Sequence, residues 1–227
     1  MKLVIFDIDG TLADTKEVED RCFRAAFWET LGIDLAQQNW ADLKHVTDWG
    51  ITEEVVEREQ GRRLEEGEYT RLIDAFVELL QGELSRDRAQ FSEVAGSRTF
   101  FELLQGRGDI GGGIATGSWL RSAEVKLGAI GINPEGVPFG HSDLHKSRED
   151  ITLAAISQCK ALHGAEVEGI VYFGDGEWDW KATRNLGIGF VGIDCDGSGK
   201  LQRLGAEHVF ADFREVDRLL EIIGAVG

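Results

Sequence analysis

Positive charge is scarce in this chain. Its 24 Lys and Arg face 41 Asp and Glu, for a net charge of −17 over 227 residues. A surface that negative repels phosphate backbones and anionic headgroups, so neither nucleic acid nor a membrane is expected as a partner. Cysteine is equally sparse. Cys22, Cys159 and Cys195 are odd in number and widely spaced, which argues against a disulfide framework and against a thiolate zinc site. A reducing compartment fits that usage. No apolar run approaches membrane-spanning length. Lys2 is followed by only four apolar residues before Asp7, too few for a secretion signal. A cytoplasmic location is therefore expected. Internal repeats and low-complexity tracts are also missing. There is no G-x-G-x-x-G after a first strand and no G-x-x-x-x-G-K-[ST] loop, so neither a dinucleotide site nor a P-loop is expected.

What is present is an ordinary globular balance, 42% hydrophobic and 29% charged. The length suits one large domain carrying a sizeable insertion. Leu3–Phe6 is a continuous apolar run, as in a strand buried on both faces. From Val18 the apolar residues recur at helical spacing through Leu31, with Gly32 as a C-terminal cap. Thr52 is expected to cap a second helix through Val55 and Val56, and Leu72 to Leu80 make a third stripe ended by Gly82. No strand-like run interrupts residues 16 to about 90. From Ser97 helices and strands alternate: helices over 119–128, 149–163 and Val216–Ile223, and strands in "IGGGIATGS", "GIVYFGDGE", "IGFVGI" and "EHVFADF". That rhythm predicts an α/β fold, a doubly wound parallel sheet with right-handed crossovers. The core is expected over 1–15 and 93–227, with an inserted helical cap over 16–92.

In such sheets, ligands bind beyond the carboxyl ends of the strands. The first strand ends in Asp7-Ile8-Asp9. A period of two puts both carboxylates on one side, and Gly10 then lets the chain turn. Like charges that close are tolerated where a cation sits between them or where one holds a proton. A divalent cation beside Asp7 and a proton on Asp9 would satisfy both conditions. A second strand ends in Thr116-Gly117-Ser118, offering hydroxyls and free N–H groups to an anion. A third ends in Gly174-Asp175-Gly176, with Asp179 four residues on, on the same helical face as Asp175. One cation, Lys146, precedes the helix over 149–163. Hard oxygen ligands at low count, leaving room for water and substrate, suit Mg²⁺. His141 and His145 lie four apart but lack a third ligand in register, so they are read as solvated or packed.

"DIDGTLADT", "IATGS", Lys146 and "FGDGEWD" stand in the order and spacing of the haloacid dehalogenase (HAD) superfamily, and the chain resembles that family over essentially its whole length. The helical insertion resembles the cap of subfamily I, as in phosphoglycolate phosphatases and β-phosphoglucomutases. The resemblance implies that Asp7 is the nucleophile that forms an aspartyl-phosphate and that Asp9 is the general acid and base. It implies Mg²⁺ held by the Asp7 carboxylate, the Asp9 carbonyl and Asp175. Thr116, Gly117 and Lys146 would bind the phosphoryl oxygens, and Asp179 would orient Lys146 or a metal-bound water. At the third motif the family often carries Lys-Pro-x-Pro-Asp, whereas this chain has Lys146-Ser147-Arg148-Glu149-Asp150. Haloacid dehalogenases proper lack the second acid of the first motif, so Asp9 points to phosphate esters.

The expected activity is thus a phosphatase acting on a small phosphorylated metabolite. A phosphomutase and a non-enzymatic binding protein on the same scaffold are the alternatives. In this family a loop between the first two cap helices reads the leaving group. The equivalent stretch is "LKHVTDWGIT", which makes Lys44, His45, Thr47 and Asp48 the expected specificity residues. A Lys-His pair would suit an acidic or polyhydroxyl leaving group.

Overall fold

A computed structural model describes residues 1–164 and 166–226. In chain order it consists of β1 (Lys2–Phe6), β2 (Ala13–Asp14), α1 (Lys16–Leu31), α2 (Asp48–Gln60), α3 (Glu66–Arg86), β3 (Ser92–Glu93), α4 (Ser97–Gln105), β4 (Ile110–Ala115), α5 (Leu120–Ala129), β5 (Phe139–Gly140), α6 (Arg148–His163), β6 (Gly169–Gly174), α7 (Glu177–Leu186), β7 (Gly189–Ile193), α8 (Lys200–Arg203), β8 (Val209–Phe210) and α9 (Val216–Ala225). Six strands form one parallel sheet in the order β5-β4-β1-β6-β7-β8. The order reverses around β1, as a doubly wound sheet requires. No helix among the described residues is long and apolar enough to cross a membrane.

Strand alternation decides which helices cover which face. Leu3 and Ile5 of β1 pack with Ile151, Ala155 and Cys159 of α6. Val4 and Phe6 turn the other way, onto Phe100, Phe101 and Phe213. Phe6 stacks on Phe173 at 5.1 Å between ring centroids. The glycines of β4 permit a close approach on the first face. A Cβ at Gly113 would come within 2.8 Å of Cys159 Sγ and 3.2 Å of Ile5. The helix therefore lies almost directly on the strand backbone.

The expected helical excursion is present. The chain leaves through β2 and returns through β3, and these two segments pair antiparallel as a two-stranded ribbon. Neither strand is legible in the sequence, because each is only two residues long. Between them α1, α2 and α3 enclose their own core of Phe23, Phe27, Val55, Leu72, Phe76 and Leu80. Trp119 enters this cluster from the main domain, fully buried, with its indole N–H donating to Tyr69 Oη at 2.8 Å. α2 begins one turn earlier than expected. Thr47, not Thr52, is its cap, accepting from Gly50 N at 3.0 Å. Thr52 lies inside the helix and donates to the Asp48 carbonyl. The α3 helix runs past Gly82 to Arg86, since one interior glycine costs a helix only about 1 kcal/mol.

Candidate active site

The sequence-predicted acids meet at the carboxyl ends of β1 and β6. Asp7 is the first residue beyond β1, and its N–H still bonds the Phe173 carbonyl at 2.9 Å. Gly10 then turns at φ 81°, a conformation that favours glycine. A Cβ there would also strike Asp175 Oδ2 at 2.5 Å. Asp7, Asp175 and Asp179 each offer a carboxylate oxygen within 4.8 Å of the others, and all three are buried. Burial, followed by the charge of Asp179, pushes the Asp7 carboxyl well above its usual range despite the opposing Arg148. Burial likewise raises Asp179 to about 6, again against Arg148. Three hard-oxygen donors in an excess of negative charge fit a small divalent cation such as Mg²⁺. Lys16 Nζ holds Asp175 Oδ2 at 2.9 Å from one side and Lys200 Nζ lies at 3.3 Å from it.

Lys146 is not brought to this cluster. Its ammonium pairs with Glu53 of α2 and lies 5.0 Å from the Trp49 ring centroid, while its carbonyl accepts from Thr47 Oγ1 at 2.8 Å. The cation beside Asp7 is Arg148. Its guanidinium is 3.1 Å from Asp7 Oδ1, and its Nε is 3.3 Å from Asp179 Oδ1. The reason is local. Ser147 caps α6 by accepting from Asp150 N at 3.0 Å. Helical geometry then turns the first residue, Arg148, inward with Thr152, and both are buried. Lys146 precedes the cap and lies toward α2. Asp179, expected to orient Lys146 or a metal-bound water, lies against Arg148 instead of Lys146. It is itself fixed by Gly176 N at 3.0 Å and by Tyr172 Oη at 3.2 Å.

The proton expected on Asp9 is also replaced. Burial alone would raise this carboxyl, but Lys126 overcomes it and, with Thr15 and Ser118, holds it below the ordinary range. Thr15 Oγ1 donates at 2.6 Å and Ser118 Oγ at 3.1 Å, while Lys126 Nζ contacts Asp9 Oδ2 and Glu19 Oε1 together. Lys126 is fully buried, and the charges of Asp9, Glu19 and Asp48 keep its ammonium protonated against that burial. Burial and the Asp9 charge raise Glu19 to about 7. Burial, followed by the charge of Glu19, raises Asp48 well above its usual range. Lys126 passed unnoticed in the sequence, although Ser118, Ser122 and Lys126 recur every fourth residue just after the second motif. A lysine on that polar stripe, in a helix otherwise apolar on its inner face, is the signal that could have found it.

These groups surround a cavity of about 240 Å³ between the sheet and the helical insertion. Thr116 and Gly117 line its floor, and Thr116 Oγ1 accepts from Ser118 N at 3.2 Å. Of the four expected specificity residues, Thr47 and Asp48 line the cavity and are buried. Lys44 and His45 do not line it. Lys44 is exposed and its backbone N–H bonds Glu54. The remaining wall comes from one stripe of α1, Lys16, Glu19, Asp20 and Phe23, with Trp40, Val46 and Ile51. α2 closes onto the core through three further contacts. Asp48 N donates to the Gly117 carbonyl at 2.7 Å, Trp49 N to Ser142 Oγ at 2.8 Å, and Trp119 N to Asp48 Oδ2 at 2.8 Å.

The family model described as haloacid dehalogenase-like hydrolase matches residues 4–193. No curated protein matches the chain. Among solved structures, a hydrolase from Pseudomonas syringae is 23% identical, with a TM-score of 0.73 and 100% of each chain covered. CbbY from Rhodobacter sphaeroides, solved in complex with phosphate, is 18% identical at a TM-score of 0.68, over 95% of this chain and 96% of that one. A putative β-phosphoglucomutase from Bacteroides vulgatus is 16% identical at a TM-score of 0.67, covering 99% of this chain and 89% of that one.

Proposed function

The chain belongs to the haloacid dehalogenase-like hydrolases, and from that premise we propose that it is a Mg²⁺-dependent phosphatase for a small phosphorylated metabolite. The observation that carries the reading is the buried convergence of Asp7, Asp175 and Asp179, with Arg148 3.1 Å from Asp7, beneath a cavity that Asp7, Asp175 and Arg148 line. Asp7 attacks phosphorus, and the P–O bond to the alcohol breaks as the bond to its carboxylate forms. The aspartyl-phosphate is then hydrolysed by water, which regenerates Asp7.

Arg148 takes the role expected of Lys146. A guanidinium fixed by Asp179 can donate to the phosphoryl oxygens without reorganising as charge develops. Thr116 Oγ1 and the backbone N–H groups beyond it supply further donors. Asp9 is ionised at rest, ready to take the proton of the attacking water in the second half-reaction. In the first half-reaction it gives the leaving oxygen a proton, either retained from the water of the preceding turnover or taken from solvent as Asp9 loosens from Lys126. Asp7, Asp175 and the Asp9 carbonyl would hold Mg²⁺, which when bound offsets the negative charge of these acids and of the phosphoryl group.

A phosphomutase needs a second anion subsite for the group to which the phosphoryl returns. Among the described residues no Lys, Arg or His lines the cap side of the cavity above Lys16, which favours hydrolysis. The test is p-nitrophenyl phosphate with Mg²⁺. The native protein should release phosphate, and Asp7→Asn should lose at least about a thousandfold in kcat/KM with an unchanged circular dichroism spectrum. Near-normal turnover by Asp7→Asn would sink the assignment.

A further inference from the structure

We propose that the preferred substrate is a phosphate monoester whose alcohol portion carries a protonated amine. The inference rests on the phosphatase reading and concerns the other end of the same cavity. The two ends differ in charge. Lys16 and Arg148 line the end where Asp7 and Asp175 stand. The opposite wall, which must meet the alcohol, carries Glu19, Asp20 and Asp48 between the rings of Phe23 and Trp40 and the side chain of Ile51.

These acids are not equally free. Asp20 is satisfied, since Oδ2 accepts from Arg24 Nε at 2.7 Å and Oδ1 from Trp40 Nε1 at 2.9 Å. Arg24 itself does not line the cavity. Glu19 and Asp48 differ from Asp20. Glu19 and Asp9 share a single ammonium, Lys126, and the charge of Asp48 acts on the same cation without touching it. Glu19 gives only Oε1 to Lys126 and Ser118, and among the described residues Oε2 has no hydrogen-bond partner. Asp48 likewise uses Oδ2 alone, on Trp119 N. Two carboxylate oxygens thus remain for a donor in the cavity.

The ligand chemistry follows. A carboxylate or second phosphate on the alcohol would face Glu19, Asp20 and Asp48 with no cation on that wall to receive it. A neutral apolar alcohol would leave Glu19 Oε2 unpaired once water is expelled. A primary ammonium has three donors for Glu19, Asp48 and the ring faces, and its charge favours the ionised form of both carboxyls. The expectation from Lys44 and His45 of an acidic or polyhydroxyl leaving group finds no support in the cavity lining, since neither residue lines it.

Three esters of nearly equal size separate the cases: 2-aminoethyl, propyl and carboxymethyl phosphate. With Mg²⁺, kcat/KM should fall in that order by roughly tenfold per step, the ratio produced by ~1.4 kcal/mol. Calorimetric affinities for Asp7→Asn, which binds without turnover, should follow the same order. Glu19→Gln should shrink the amine-to-propyl ratio to within about threefold. A carboxymethyl ester turned over as well as the amine, or a ratio unmoved by Glu19→Gln, would overturn the inference while leaving the phosphatase reading intact. Absence of phosphate release from all three esters and from p-nitrophenyl phosphate would overturn both.

Discussion

Replacing Lys126 by methionine shortens the side chain by one atom and removes its charge. In the native protein this fully buried ammonium contacts Asp9, Glu19 and Ser118 at once. Without it two carboxylates stay buried with only hydroxyl donors. Breaking a buried pair by deleting one partner costs about 3–5 kcal/mol, because the surviving charge is desolvated and unmatched. For a chain of this size 1 kcal/mol moves the melting temperature by about 2–4 °C, so the Tm should fall by roughly 6–20 °C at pH 8. The loss should depend on pH, with a definite sign. In the native protein Asp9 lies below the usual carboxylate range. Its contribution is present above its unfolded pKa of about 4 and is lost as pH falls through the lower folded value. In the variant burial acts unopposed and raises both carboxyls. A folded pKa above the unfolded one stabilises at low pH, and that stability disappears as pH rises through the folded value. The gap between the two proteins should therefore be widest near pH 8 and narrow toward pH 5. Differential scanning calorimetry across that range measures it. The double change Lys126→Met, Glu19→Gln should recover part of the loss, since only one carboxylate is then stranded. A Tm shift below about 3 °C, or one equal at both ends of the range, would refute the account.

Arg148→Ala should cost about 10²–10³ in kcat/KM toward p-nitrophenyl phosphate, the usual effect of deleting a donor aimed at developing charge. Lys146→Ala should stay within about fivefold, because its half-exposed pair with Glu53 is of the kind that contributes 0–1 kcal/mol. The reverse ranking would restore Lys146 to the phosphoryl group. Mg²⁺ should raise the Tm of the native protein by mass action, and Asp175→Ala should show a smaller rise by differential scanning fluorimetry. An equal rise in the variant would place the ion elsewhere. Gly140→Ala should destabilise by about 1–3 kcal/mol in urea titration, because its Cβ would lie 2.1 Å from the Ile151 carbonyl oxygen and strand β5 cannot retreat from α6 without losing its pairing with β4. A midpoint unchanged from the native protein would show that α6 shifts freely.

The parts of the site that could be read from the sequence are those fixed by backbone geometry. Asp7 and Asp175 follow apolar runs directly, and a strand end in a parallel sheet has one place to deliver its next side chain. The cap was legible because 16 to about 90 has helical periodicity and no strand-like run. What was not legible depends on where long side chains go. Lys146 and Arg148 are two residues apart, and the cap at Ser147 decides which of them turns inward. A cation two positions from the expected one, on the other side of a helix start, is invisible to spacing arguments that assume the family's prolines. Lys126 is harder still, since a buried lysine is justified only by acids that arrive from β1 and α1, more than a hundred residues away. The specificity loop failed for a related reason. Its sequence position is right, but of its polar residues only Thr47 and Asp48 line the cavity, Thr47 capping α2 and Asp48 opening its first turn.

The seal between α2 and the core has a kinetic consequence. Thr47, Asp48, Trp49 and Trp119 each contribute a hydrogen bond between cap and core around the rim of the cavity. At a net ~0.5–1.5 kcal/mol apiece, their simultaneous release costs several kcal/mol. On the phosphatase reading, a turnover number set by breaking these bonds would report opening of the cap and not cleavage of the ester. Esters whose alcohols differ greatly in acidity should share one kcat, while their single-turnover rates spread apart.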